Sequence, residues 1–378
     1  MKIYWRPKQV SRIALVAIAA LSLCGFLAVE RFKVQTKGRY YKEKMAASRL
    51  AADAFATLGR ERQKQKHKPD PISDPTGSGL MGELMTPVTS NSGSLRAKQT
   101  TINPNFAAVV VDMLRRGGVE KGDTVAIGFS GSFPALNVSV LAAMQVLELR
   151  PLIISSNAAS QWGANDPSFL WIDWERTLVE KKVLAFRSLA ASIGGIEDRG
   201  LGMSADGRQV IVSAIEKSGV PYMEPKDYQD SVAMRMKIYQ DAAGDQPIKA
   251  YVNVGGGTTS VGTKVGKHIF QPGLNLRPPV GGPAIDSIMS RFADEGVPVI
   301  HLINVNQIAR RYGLAVTPAE MPPVGQGTVF SRAEYNPWIA GGLLLAILAA
   351  LYAFVRSDVG FRLMQLGGRK RGNPEPMV

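Results

Sequence analysis

The sequence has few of the residues that usually support disulfide bonds or metal sites. Cysteine occurs once, as Cys24, so no intrachain disulfide forms, and this residue says little about the redox compartment. Histidine occurs only at His67, His268 and His301. Because no cluster of His, Cys or Asp has the spacing of metal ligands, we expect no metal site.

The sequence also lacks the glycine-rich motifs that bind nucleotides. No Gly-x4-Gly-Lys-Ser/Thr motif occurs, since residues 262–268 have the wrong spacing and no hydroxyl after lysine. No Gly-x-Gly-x-x-Gly motif leads from a strand into a helix. We therefore expect no nucleotide cofactor, and this disfavours an ATP-dependent ligase.

Acidic residues are scarce at both ends of the chain. The net charge is +14, but residues 67–330 carry 24 basic and 24 acidic side chains and are neutral. Residues 1–66 carry 15 basic and 4 acidic side chains, and residues 331–378 carry 6 and 3. Basic ends beside apolar runs indicate a membrane surface or a polyanion as partner, rather than a specific nucleic-acid sequence.

Two long apolar runs lie near the ends. Residues 13–29 are 17 uncharged residues, which as a helix would be about 25 Å long, near the lower limit for a membrane span. The second run, 335–355, has 21 uncharged residues with aromatic residues near its ends. A cleaved signal peptide is the alternative for the first run, but no small-x-small site follows it. We predict two transmembrane helices.

The basic residues that flank the two runs predict opposite orientations. Five Lys or Arg follow the second run and only Arg332 closely precedes it, which places the C-terminus in the cytoplasm. Seven follow the first run and four precede it. We give the second run more weight because a long domain can translocate regardless of its charges. Both termini are then cytoplasmic and the central domain is exported.

The chain divides into segments by composition. Residues 1–12 are a short basic N-terminus, and residues 356–378 are a basic tail. The sparse apolar positions of residues 30–67 predict a basic, solvated stalk helix, with oligomer or lipid headgroup contact as alternatives. Residues 68–102 are rich in Pro, Gly and Ser and form either a linker or a strap over the sheet. Residues 103–330 are the predicted α/β domain.

The clearest local pattern is a βαβ unit. Residues 124–129 form an apolar, β-branched run, Ser130-Gly131-Ser132 breaks it, and residues 137–149 have helical spacing before a second strand at 152–154. Further apolar runs alternate with helical segments as far as residue 312. The sequence therefore predicts an α/β fold with a largely parallel, Rossmann-like sheet and flanking helices, between the two membrane helices.

Polar residues end four of the apolar runs. In an open parallel sheet the carboxyl ends of the strands meet at one edge, where ligands bind. Ordinary turn chemistry is the alternative, because Ser, Asn and Gly end many strands. As ligand-binding candidates we take the polar and glycine residues at these ends, namely Gly131, Ser132, Ser155, Asn157, Asn253, Gly256, Gly257, Thr258 and Asn304.

A serine hydrolase is the sharpest enzyme hypothesis. Ser130 follows a strand and precedes a helix, as a nucleophile does in Gly-x-Ser-x-Gly, but Ser132 replaces the second glycine. The base would be His268, because His301 lies inside a predicted strand and is expected to be a core residue. Three acidic residues are possible orienters of that base, namely Asp173, Glu175 and Asp198.

Three stretches carry a family resemblance: residues 93–108 (GSLRAKQTTINPNFAA), 128–137 (GFSGSFPALN) and 251–262 (YVNVGGGTTSVG). Together with the two predicted transmembrane helices that flank the domain, these stretches resemble the poly-γ-glutamate system proteins. The resemblance implies a bacterial plasma-membrane accessory protein that accompanies the poly-γ-glutamate synthase and export proteins, and in which the cleft binds the polymer or a partner. The alternative is a serine-dependent enzyme that trims or attaches the polymer. The family supplies no catalytic residues to carry over.

Overall fold

A computed structural model describes residues 12–65, 69–262, 269–279 and 286–356. They belong to two compact units. The larger unit spans Gly38–Ser331, and the smaller one combines residues up to Lys37 with residues from Arg332 onward.

The described elements are numbered here in chain order. The strands are β1 (Val34–Lys37), β2 (Thr89–Asn91), β3 (Thr124–Ser130), β4 (Arg150–Ser156), β5 (Ala159–Ser160), β6 (Asn165–Asp166), β7 (Phe169–Leu170), β8 (Ala190–Ser192), β9 (Tyr222–Met223), β10 (Ile248–Val254), β11 (Gly273–Asn275), β12 (Val299–Leu302) and β13 (Ser331–Glu334). The helices are α1 (Arg12–Arg31), α2 (Tyr41–Lys64), α3 (Leu95–Thr101), α4 (Phe106–Arg116), α5 (Pro134–Val146), α6 (Trp171–Glu180), α7 (Ala205–Ser218), α8 (Tyr228–Ala243), α9 (Thr258–Val261), α10 (Ile288–Asp294), α11 (Val305–Arg311) and α12 (Pro337–Arg356).

The smaller unit pairs helix α1 with helix α12 and strand β1 with strand β13. Gly25 permits the helices to approach closely, because a Cβ at that position would overlap the side chain of Leu343. Within the described ranges, no helix combines the length and the apolarity that crossing a membrane requires. The prediction of two transmembrane helices is therefore not supported by the structure.

The larger unit is built on a seven-stranded sheet in the order β11-β12-β10-β3-β4-β8-β9. All neighbouring strands pair in parallel except β11, which is antiparallel to β12 at one edge. Strand β3 is central, and Ala126 lies between Leu152 of β4 and Tyr251 of β10. The prediction of an α/β fold with a largely parallel sheet is confirmed.

Helices cover both faces of this sheet. Val125 and Ile127 of β3 point to the face that α2, α4 and α5 cover. Ala126 points to the opposite face, where Tyr239 of α8 and Phe292 of α10 pack on Tyr251. A third apolar cluster joins α6 and α7 to the β8 and β9 edge.

Helix α2 is a layer of the core and not a solvated stalk. Its inner face is made mainly of alanine, and Ala47, Ala51, Ala54 and Leu58 are fully buried against α4 and α5. Small side chains at this spacing bring two helices close together, although they add little to a hydrophobic pattern. The stalk prediction for residues 30–67 is corrected accordingly, and the compact unit begins at Gly38 instead of residue 103.

The segment after α2 is ordered over its described part. Leu80, Met81 and Val88 are buried, and strand β2 pairs with β5. Arg62 of α2 donates to the backbone carbonyls of Gly79 and Met81 at 2.8 and 2.6 Å. We call residues 79–94 the strap.

Glu175 of α6 generates a prediction about pH and stability. Its carboxylate is fully buried and accepts bonds from Ser188 N and Ser188 Oγ, both at 2.7 Å. Burial raises the pKa of Glu175 from 4.5 to about 7, although the Ser188 hydrogen bonds and the charge of Arg187 oppose the shift. The folded state then holds a proton that the unfolded chain releases, so stability falls between about pH 4.5 and 7.

We expect Glu175→Gln to remove that loss of stability, because the amide carries no charge. Its oxygen can accept from Ser188 N, and its NH2 group can donate to Ser188 Oγ. At pH 8 the variant should exceed the parent's unfolding free energy by up to about 3 kcal/mol, whereas at pH 4.5 the two should agree. Urea denaturation of the full chain at pH 4.5, 6 and 8 measures this difference. Glu180→Gln, at an exposed position of the same helix, is the control. An unchanged pH slope in Glu175→Gln would contradict the assignment.

Candidate functional site

A cleft lies where the chain reverses direction across the sheet. From β3 the chain passes through α5 to β4 and then to β8 and β9 on one side, whereas β10 returns to the other side of β3. The segments that leave the carboxyl ends of β3 and β10 therefore run in opposite directions. This is the position at which open α/β sheets bind ligands.

The cleft is small and polar. Its volume is about 30 Å³, which admits one or two waters or one small charged group. Its lining combines the ends of β3, β4 and β10 with α8, α9 and the loop before α7, through Phe129, Ser130, Ser156, Gly195, Asp198, Arg235, Asn253, Val254, Gly257, Thr258, Thr259 and Ser260.

A buried ion pair forms one wall of the cleft. Arg235 Nε donates to Asp198 Oδ2 at 2.7 Å, and both side chains are buried. Ser192 Oγ and Ser156 Oγ donate to Asp198 Oδ1 at 2.6 and 3.1 Å, and Ser231 Oγ donates to Oδ2 at 2.9 Å. The carboxylate is thus surrounded by one guanidinium and three hydroxyl groups.

The pair stays charged although it is buried. Burial alone would raise the pKa of Asp198, but the charge of Arg235 and the hydrogen bonds lower that pKa below its ordinary value. Burial alone would lower the pKa of Arg235, and the charge of Asp198 raises it instead. The two charges cancel, so this wall offers polarity without net charge.

The loop that carries Asp198 is held in an uncommon backbone conformation. Glu197 and Asp198 both have positive φ, at 54° and 63°, which costs free energy for residues other than glycine. The Glu197 N–H donates to Thr258 Oγ1 at 3.0 Å, and this bond links the loop to the turn after β10. Gly255 in that turn has φ of 89° and lies close to Ser130, so a larger residue would be strained there.

Four of the predicted site residues line the cleft: Ser130, Asn253, Gly257 and Thr258. Two others lie in the adjoining turn and make structural bonds. Gly131 N donates to Ser156 O at 2.8 Å, and Ser132 Oγ accepts from Ser160 N at 3.0 Å.

Ser155 and Asn157 lie on the other face of their strand end. Ser155 Oγ accepts from Ser188 Oγ at 3.0 Å, and Asn157 Oδ1 accepts from Ile172 N at 3.1 Å. Ser156, between them, lines the cleft. Successive side chains of a strand alternate between faces, which explains why the central residue of Ser155-Ser156-Asn157 reaches the cleft.

The remaining predicted residues do not form a catalytic group in the described structure. His268 lies outside the described residues. His301 is buried in β12, and its Nδ1 lies 2.9 Å from Asn253 Nδ2. The described partner of Ser130 Oγ is the Ser132 N–H at 3.2 Å, so no base is placed on it there. Gly256 is half-buried, and Asn304 is exposed at the start of α11.

Sequence reasoning missed Arg235, Ser192 and Ser231, and named Asp198 only as an orienter of a catalytic base. Arg235 lies in an ordinary-looking charged helix, where an arginine is typical of a solvated face. The serines carry no motif. Only the fold, which brings β8 and α8 to the same sheet edge, shows that these residues belong together.

No protein-family model matches the chain, and no curated protein matches it at a significant level. In the described part of the chain, no group of three His, Cys, Asp or Glu side chains has the arrangement of a metal site.

The buried ion pair generates a prediction about stability. Asp198→Asn leaves the Arg235 guanidinium buried without a counter-charge, and we expect the free energy of unfolding to fall by about 3–5 kcal/mol. The double variant Asp198→Asn with Arg235→Met should lose less than the sum of the two single changes. Urea denaturation of the full chain measures both.

The matched control is Asp241→Asn, which breaks an exposed i,i+4 pair with Lys237 and should change stability little. Additive effects of the Asp198 and Arg235 substitutions would contradict a coupled pair.

Proposed function

We propose that this protein is a membrane-associated accessory subunit of bacterial poly-γ-glutamate synthesis or export. Its α/β domain binds carboxylate groups of the γ-glutamyl chain in the cleft between β3 and β10. The single observation that carries the proposal is a small polar cleft at the reversal point of a parallel sheet, lined by hydroxyl groups.

The chemistry of the cleft suits a carboxylate. Ser130 and Ser260 present hydroxyl groups to the cleft, and both can donate to carboxylate oxygens. The Ser156 hydroxyl and the Asn253 amide line the same cleft but donate within the protein, to Asp198 Oδ1 and to Gly255 O. A volume of about 30 Å³ is too small for a whole glutamyl residue. The polymer would therefore lie along the surface and insert one carboxylate, while Arg235 holds the hydroxyls of Ser156 and Ser192 in place.

Membrane attachment is part of the proposal. Helices α1 and α12 expose large apolar side chains along their length, including Val16, Leu23, Leu345 and Trp338, the last at 87% exposure. Apolar surface of this extent needs a cover, and a bilayer supplies one. The basic residues that the sequence places beyond the helices favour a surface of anionic lipid. The poly-γ-glutamate synthase and export proteins are the expected protein partners.

A serine hydrolase centred on Ser130 and His268 is less well supported. No base contacts Ser130 Oγ among the described residues. Ser130 is better explained as a hydrogen-bond donor to a ligand in the cleft.

The test is calorimetric titration of the full chain, held in lipid nanodiscs, with a γ-linked glutamate oligomer. We expect Ser130→Ala to weaken binding by about tenfold, which corresponds to one hydrogen bond to a charged group. Ser213→Ala, an exposed serine on α7, should bind like the parent.

The matched ligand is the same oligomer with each carboxylate converted to a carboxamide, and it should not bind. Equal affinity for the two oligomers, or binding that does not change in Ser130→Ala, would refute the proposed site.

A further inference from the structure

A second group of polar side chains lies beside the cleft and is not used by the proposed binding function. Lys98 of α3 is buried, and its Nζ donates to Ser160 Oγ at 2.8 Å. Nζ also contacts the Ser132 carbonyl oxygen and lies 4.1 Å from the centre of the Phe133 ring. Lys98 and the turn at Ser132 belong to two of the three stretches that carry the family resemblance, and the fold joins them here.

The environment of Lys98 differs from that of Lys44, which is also buried. Lys44 Nζ donates to Asp112 Oδ1 at 2.7 Å and is neutralised by it. Among the described residues no carboxylate contacts Lys98, and its hydrogen-bond partners are a carbonyl and a hydroxyl. Burial without a counter-charge lowers the pKa of Lys98 to about 7, so a large fraction of this lysine is a neutral base near neutral pH.

Ser160 is buried, but the residues beside it are less buried. It is 6% exposed, and Ser132 and Phe133 beside it are half-buried. Its position is fixed from two sides, because strand β5 pairs with β2 of the strap and Ser160 N donates to Ser132 Oγ at 3.0 Å. A hydroxyl held against a neutral amine in this way is the arrangement of an activated nucleophile.

We propose that Ser160 and Lys98 form a catalytic pair for acyl transfer, with Ser160 as the nucleophile and Lys98 as the general base. The choice of substrate rests on the proposed function: the amide bonds of a γ-glutamyl chain whose carboxylate occupies the neighbouring cleft. The reactivity of the pair does not depend on that choice. This pair differs from the Ser130 and His268 hypothesis in both residues.

The reaction balances without a cofactor. Neutral Lys98 Nζ takes the proton of Ser160 Oγ as Oγ bonds to the amide carbon. The carbon–nitrogen bond breaks, and the leaving amine takes the proton from the Lys98 ammonium, which leaves an acyl ester on Ser160. Water, or a second amine, then attacks the ester carbon while Lys98 takes its proton. The bond from Ser160 Oγ to the acyl carbon breaks, Oγ regains a proton from the Lys98 ammonium, and a shortened or transferred chain is released.

The test uses the full chain in lipid nanodiscs and a fluorophosphonate probe, with peptide mass spectrometry to locate the adduct. We expect an adduct on Ser160, formed at a rate that rises about tenfold from pH 6 to pH 9 with its midpoint near pH 7. An unperturbed lysine would place the midpoint above pH 10. No Ser160 adduct at any pH in this range overturns the proposal.

Variants separate a catalytic role of Lys98 from a structural one. Lys98→Met and Lys98→Arg should both lose labelling, and the arginine keeps charge and donors but cannot accept a proton. Thermal unfolding confirms that each variant is folded. Lys44→Met is the matched control for loss of a buried lysine, and Ser139→Ala is the control for loss of a buried serine; both should be labelled like the parent. If Ser160 of Lys98→Arg is labelled as fast as Ser160 of the parent protein, Lys98 is not the general base.

The substrate is tested separately with poly-γ-glutamate and size analysis. Shortening that is lost in Ser160→Ala supports γ-glutamyl amides as the substrate, whereas labelling without shortening overturns that assignment. If the probe labels Ser160 but the calorimetric titration shows no binding of the γ-glutamate oligomer, the proposed function is refuted and the catalytic pair is supported. The two failures are therefore distinguishable.

Discussion

The parallel pairing of β3 on both sides is the constraint on which the rest of the larger unit depends. Gly128 has no side chain, and this leaves room for the Tyr251 hydroxyl, which lies 2.5 Å from where a Cβ would be. Tyr251 in turn stacks on Phe292 and contacts Tyr239. The absence of a side chain at Gly128 thus allows β10, with the helices that pack on it, to pair with β3. The cleft lies at the carboxyl ends of these two strands.

Local patterns predicted the elements of the sheet well. The strand predicted over residues 124–129 is observed as Thr124–Ser130, the helix predicted over 137–149 is Pro134–Val146, and the strand predicted over 152–154 lies within Arg150–Ser156. These elements could be predicted because each has clear periodicity and a polar, glycine-bearing break separates the first two. Long-range features were not predictable. The burial of α2 depends on alanines that pack on helices α4 and α5, which are distant in sequence, and the edge strand β11 has only three residues.

The candidate sites show the same division between local and long-range information. Polar strand ends could be identified from sequence, and Ser130, Asn253 and Thr258 do line the cleft. Arg235 and Lys98 could not be selected, and Asp198 was selected only as an orienter of a base, since each of these residues matters through what it contacts. Burial affects the pKa of the two cations differently. The charge of Asp198 keeps the buried Arg235 ionised, whereas burial without a counter-charge lowers the pKa of Lys98 to about 7.

The alanine face of α2 has a consequence for anyone who divides this protein into parts. The Pro- and Gly-rich segment after α2 is an obvious place to begin a shortened fragment. A fragment that begins there lacks α2, and it exposes the faces of α4 and α5 that α2 covers. It also leaves the strap without Arg62. Such a fragment would be prone to aggregate, and its failure would say nothing about the chemistry of the cleft.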